Sequence, residues 1–144
     1  MIILDTNVLS ELMREKPASA VLRWARARPE SSLYATSISE AEVLRGIEVL
    51  PKGKRRDALS AAARTTFGNE FGGRILPFAS DAAKWFAHIA AERRRHGRTI
   101  SIFDAQIAAI ARTYGAPVAT RDFEGFAECG IDVIDPWGLF GALA

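Results

Sequence analysis

The sequence predicts a single α/β domain, residues 1–144, built on a parallel sheet with helices on both faces. Three observations predict it. Short apolar runs alternate with longer segments of helical periodicity along the whole chain, the pattern of strand–helix–strand crossovers. No linker, internal repeat or low-complexity stretch interrupts them. Four acidic residues, Asp5, Glu42, Asp104 and Asp122, each stand where an apolar run gives way to a turn or a helix start. In a parallel sheet the C-terminal strand ends share one edge, and ligands bind in the crevice there.

Taken in order, Ile2–Leu4 reads as a short buried strand. Asn7–Arg14 and Ala18–Arg28 read as helices, with Pro17 at the first helical position of the second. Leu33–Thr36 is the next strand. Ser39–Leu50 is helical, with Val43, Leu44, Ile47 and Leu50 as an apolar stripe, and Pro51 and Gly53 break it. Arg55–Phe67 is a further helix, and Arg74–Phe78 is a short strand ended around Pro77. Ser80 is placed to cap a helix running to His96, where Gly97 stops it. Ile102–Tyr114 is the most apolar helix, and Gly115 closes it. Val118–Thr120 and Val133–Ile134 are the last strands, with Pro136 beyond.

Composition narrows the class of protein. At 144 residues the chain buries roughly two-thirds of its unfolded surface, so one core suffices. The lone cysteine, Cys129, has no internal partner, which fits a reducing, cytoplasmic setting. Met1–Leu4 is too short for a signal peptide, and no apolar run approaches the ~20 residues of a membrane span. The net charge is only +2, but four clustered acids would leave the remaining surface more basic. Basic runs stand at Lys52–Arg56 and Arg93–Arg98.

Each acid also has a structural explanation. Ser39 with Glu42, and Ser101 with Asp104, match the capping box that satisfies free amides at a helix start. Asp5 and Asp122 suit turn or helix caps. Arg45 stands three residues after Glu42, within reach of a helical ion pair. Caps alone do not explain why all four acids share the ligand-binding edge. Two carboxylates about 4 Å apart repel by roughly 4 kcal/mol at an effective dielectric near 20. A hard divalent cation with oxygen ligands relieves that repulsion.

These blocks resemble the PIN-domain ribonucleases of the VapC type, in particular the FitB-like branch, over nearly the whole chain. The opening Ile2-Ile3-Leu4-Asp5-Thr6-Asn7, Glu42 followed by Arg45-Gly46, Asp104 through Ala109, Thr120-Arg121-Asp122 with Phe126, and Asp135-Pro136-Trp137 occur in the family's order and spacing. The resemblance implies an α/β/α sandwich around a parallel sheet of about five strands. It implies Mg²⁺- or Mn²⁺-dependent endonucleolytic hydrolysis of RNA by the toxin of a toxin–antitoxin pair. Asp5 and Asp104 would then be direct metal ligands. Glu42 would bind through water or act as base, and Asp122 would complete the first site or hold a second ion. Asn7 and Thr120 would orient the carboxylates. Arg45, Arg121, Arg93, Arg94 and Arg95 are candidate RNA contacts. The implied partners are RNA, a second copy of the chain, and a DNA-binding antitoxin whose arginine matches the carboxylates bidentately.

Competing readings have weaker support. A phosphatase using Asp-x-Asp needs an acid at position 7, where Asn7 stands, and no lysine after Lys84 serves a phospho-acceptor domain. A non-catalytic partner-binding module with an acidic pocket also suits the four acids. His88 and His96 lack partners at catalytic spacing, the serines lack a nucleophile elbow, and no phosphate-binding P-loop is present. Trp24, Trp85 and Trp137 read as core or interface anchors, and Cys129 as a partly buried small residue.

Overall fold

A computed structural model of the chain describes residues 1–138. The strands are β1 (Ile2–Leu4), β2 (Leu33–Thr36), β3 (Ile75–Leu76), β4 (Val118–Ala119) and β5 (Val133–Ile134). The helices are α1 (Thr6–Leu12), α2 (Ser19–Arg26), α3 (Ser37–Glu48), α4 (Lys54–Thr65), α5 (Ser80–Arg95), α6 (Ile102–Tyr114) and α7 (Phe123–Phe126). The strands form one five-stranded sheet in the order β3-β2-β1-β4-β5, every neighbouring pair parallel. The predicted α/β architecture is therefore present.

Alternation along the strands explains the layers. Ile3 of β1 and Val118 of β4 belong to one apolar cluster, whereas their neighbours Leu4 and Ala119 belong to another. Successive side chains of a strand point to opposite faces. All four are fully buried, as a parallel sheet covered on both sides requires. One face packs Ala82 and Ile89 of α5 with Ile107 and Ile110 of α6. The other packs Val8 and Leu9 of α1, Val21 of α2, Ile47 of α3 and Ala63 of α4. Five successive residues, Ile107–Ala111, are buried, so α6 is enclosed on most sides. Gly115 ends it at φ 62°, a left-handed conformation that glycine adopts without a Cβ penalty. No helix among the described residues is long and apolar enough to cross a membrane.

The chain runs outward from β1 to β2 and β3, then crosses to β4 and β5 on the other side. The strand order thus reverses between β1 and β4, and a crevice opens beyond their C-terminal ends. Asp5 follows β1, and Thr120 to Asp122 follow β4.

Several helix starts differ from the sequence expectation. Pro17 precedes α2 by two residues and is not its first helical residue. The amide of Ala18 donates to Glu11 Oε2 at 3.1 Å, and Ala18 stays outside the helix as its cap. Helix α3 starts at Ser37, because the buried Thr36 hydroxyl accepts from the Ser39 amide at 3.1 Å and caps it. Ser80 is the first residue of α5 and not its cap. Leu44 is 47% exposed and drops out of the apolar stripe of α3. A 3₁₀ turn (Glu30–Ser32), a π turn (Thr66–Glu70) and α7 are additions that short, weakly periodic segments do not announce.

Candidate active site

All four predicted acids line one open cleft of about 750 Å³. Each arrives there by local rules. The Asp5 amide continues the ladder by donating to the Ala119 carbonyl at 2.9 Å, and its Oδ1 caps α1 by accepting from the Thr6 amide at 2.8 Å. The Ser101 hydroxyl caps α6 by accepting from the Asp104 amide at 3.1 Å. Asp122 Oδ1 caps α7 by accepting from the Gly125 amide at 2.9 Å. A side chain at position 125 would collide with that carboxylate, so the cap needs glycine there. Asp5, Asp104 and Asp122 are thus tied to helix starts while they line the cleft.

Glu42 differs. With Thr36 as cap, it falls in the second turn of α3, and Ser39 gives its amide to Thr36. The Ser39–Glu42 capping box is therefore absent. Instead the Thr6 hydroxyl donates to Glu42 Oε1 at 2.8 Å and lies 2.9 Å from the Ser39 hydroxyl. Arg45 is exposed and makes no ion pair with Glu42 or with any other described residue.

Asn7 and Thr120 knit the two strand ends together. Asp5 Oδ2 accepts from Thr120 Oγ1 at 2.7 Å and from Asn7 Nδ2 at 3.1 Å. The Thr120 hydroxyl also accepts from Asn7 Nδ2 at 3.1 Å and from the Asp122 amide at 3.0 Å. Thr120 is fully buried, so nothing from solvent replaces it. Thr120→Val is expected to cost about 1–3 kcal/mol in urea unfolding by stranding these groups.

Burial and like charge raise the proton affinity of Asp5, Glu42 and Asp104. Asp5 is 5% exposed, and desolvation lifts its carboxyl from 3.8 to about 6. The charges of Asp104 and Glu42 add to that lift, while hydrogen bonds from Thr120 and Thr6 oppose it. Burial also raises Glu42, helped by Asp104. Asp104 is raised by burial and by Asp122, against Ser101 and the nearby Arg93 charge. None of the four forms an ion pair within 4 Å among the described residues. The site therefore holds anionic oxygens in excess of local cations, which suits a hard divalent ion. No three acidic, histidine or cysteine side chains among the described residues are placed to hold an ion unaided. Mg²⁺ does not require such a group, because it keeps several waters and takes only one or two carboxylates directly.

The basic residues sort differently from their sequence grouping. Arg93 is 4% exposed and unavailable to RNA. Its guanidinium donates to the carbonyls of Arg98, Glu124 and Ala127 at 2.7, 3.1 and 2.6 Å, with longer bonds to Gly125 and Thr99. Burial against backbone carbonyls thus corrects its placement among the RNA contacts. Arg94 is exposed, and Arg95 pairs with Glu92. Arg121 lines the cleft together with Arg14, Arg55, Ser10 and Glu11, which the sequence reading did not single out. A signal existed for three of those: Asn7, Ser10, Glu11 and Arg14 recur at the spacing of one helix face. The tryptophans stack on cations, Trp24 on Arg28, Trp85 on Arg112 and Trp137 on Arg121.

The sequence pattern of the PIN domain matches residues 2–130. The VapC ribonuclease Y4jK of Sinorhizobium fredii is 40% identical over 137 residues, 95% of this chain and 98% of that protein. Toxin FitB of Neisseria gonorrhoeae is 36% identical over 137 residues, covering 95% of this chain and 99% of that protein. The crystal structure of FitAcB from Neisseria gonorrhoeae superposes with a TM-score of 0.88 at 36% identity, over 96% of this chain and all of that one.

Proposed function

This chain belongs to the PIN-domain family, and from that premise we propose that it is a metal-dependent endoribonuclease, the toxin of a toxin–antitoxin pair. The observation that carries the reading is the convergence of Asp5, Glu42, Asp104 and Asp122, without cationic partners, at the point where the strand order reverses. The reaction is hydrolysis: a water oxygen bonds to phosphorus and the phosphorus–oxygen bond to the leaving ribose breaks. Mg²⁺ or Mn²⁺ would be held by Asp5 and Asp104, with Glu42 and Asp122 reaching it directly or through water. Such an ion supplies positive charge at the phosphate and acidifies water toward neutrality.

The chain's own residues do the rest. Thr120 and Asn7 fix the Asp5 carboxylate, so it is oriented before substrate arrives. Thr6 holds one Glu42 oxygen and leaves the other for a water proton. The partner we assign is a cognate antitoxin that covers the acids with a cation of its own, as the excess of anionic oxygen invites.

Mapping RNA ends after brief induction tests the reading. Wild type is expected to produce new ends that Asp104→Asn does not, and purified protein with Mg²⁺ should reproduce them. Identical ends in both, or none in vitro, would reject it. Adding Mg²⁺ should also raise the melting temperature of wild type, because an ion that binds only the folded state stabilises it.

A further inference from the structure

Glu11 is 6% exposed, yet two arginines share its carboxylate. Its Oε2 accepts from the Ala18 amide at 3.1 Å and lies 3.4 Å from Arg14, while Oε1 lies 3.6 Å from Arg121. Arg121 is fixed at two further points. Its amide donates to Asn7 Oδ1 at 3.2 Å, and its guanidinium lies 4.1 Å above the Trp137 ring. Both guanidiniums border the cleft of the four acids, and both side chains remain more than half exposed.

We propose that Arg14 and Arg121, spaced by Glu11, form a clamp for an RNA backbone phosphate beside the one being hydrolysed. This rests on the ribonuclease reading. Each guanidinium carries five donors, far more than Glu11 accepts. The ion pairs are long, so the arginines are aligned without being saturated. Stacking on Trp137 fixes the plane of Arg121 and leaves its edge for bidentate contact with phosphate. Glu11 is a positioning residue and no metal ligand, because its oxygens already serve an amide and two cations. A polyanion entering a cleft lined by acids needs cations within the same cleft.

Binding and turnover of a single-stranded RNA of about 12 nucleotides separate the outcomes. Arg14→Met and Arg121→Met keep most of the apolar stem at exposed sites, so the fold should survive. Binding is measured in an Asp104→Asn background across a salt series. Losing the clamped phosphate is expected to flatten the slope of log affinity against log salt by about 0.7 in the double variant, and by less in either single variant. With Asp104 intact, KM should rise about tenfold in the double variant, with kcat within about threefold. The exposed Arg23→Met should leave slope, KM and kcat unchanged. An unchanged slope in the double variant, or a fall in kcat alone, overturns the clamp while the nuclease reading stands. A wild type that leaves this RNA intact with Mg²⁺ overturns that reading and the clamp with it.

Discussion

Asp5→Asn is expected to abolish RNA cleavage and, at the same time, to raise the melting temperature of the metal-free protein. The loss follows from its position: it is the most buried of the four acids and lies at the hub of the Thr6, Asn7 and Thr120 hydrogen bonds. The gain follows from linkage. Its carboxyl has a folded pKa of about 6 against an ordinary 3.8, so the folded state holds the proton more tightly than the unfolded one. Stability therefore falls as pH rises from about 3.8 to about 6, and the penalty is complete above that. Its size is at most roughly 3 kcal/mol. Asn places one donor where the carboxylate accepted, which offsets part of the gain. A net stabilisation of about 1–2 kcal/mol at pH 7.5 remains, or several degrees in melting temperature. Melting curves across pH 4–8 check the sign: the two proteins should converge near pH 4 and separate above pH 6. Equal stability at every pH would show that Asp5 carries no strain. Retained cleavage would remove it from the chemistry.

Arg93→Met carries the second large effect, in the opposite direction. The Arg93 guanidinium ties the 98–99 segment, which leads into Ser101 and Asp104, to the carbonyls of 124–127 around α7, which Asp122 caps. Removing it strands several carbonyls in a buried site, at a cost of at least about 3 kcal/mol. Cleavage should fall as well, since two acids lose their common support. Urea unfolding checks the first and turnover under folding conditions the second. Arg93→Lys should restore little, because one ammonium cannot span carbonyls that a planar guanidinium reaches together. Wild-type stability in the methionine variant would refute this role.

Arg93 also shows how far residues alone reach. It sits in a run of three arginines at a helix end, and such a run reads as one solvated basic patch. The structure divides the run: Arg93 turns inward, whereas Arg94 and Arg95 stay exposed. Which arginine faces inward depends on the angle at which α5 meets the loop before α6, and no local pattern encodes that angle. Glu42 makes the same point. The serine three residues before it suggested a capping box, yet Thr36 at the end of β2 competed for the Ser39 amide and won. Both residues are good caps, and only the path of the chain out of β2 chose between them.

The residues by themselves determined the sheet, its parallel sense, the helix order and the four acids at the crevice. These rest on short-range rules: apolar alternation, helical periodicity and the chemistry of strand ends. The tertiary structure alone decided how those acids are held and which cations share their cleft. Asn7 and Thr120 are 113 residues apart and become bonded only because β1 and β4 are neighbours. Glu11 joins Arg14 from its own helix to Arg121 from beyond β4 for the same reason. Contacts between distant segments depend on strand order, and strand order is settled when the whole hydrophobic core closes.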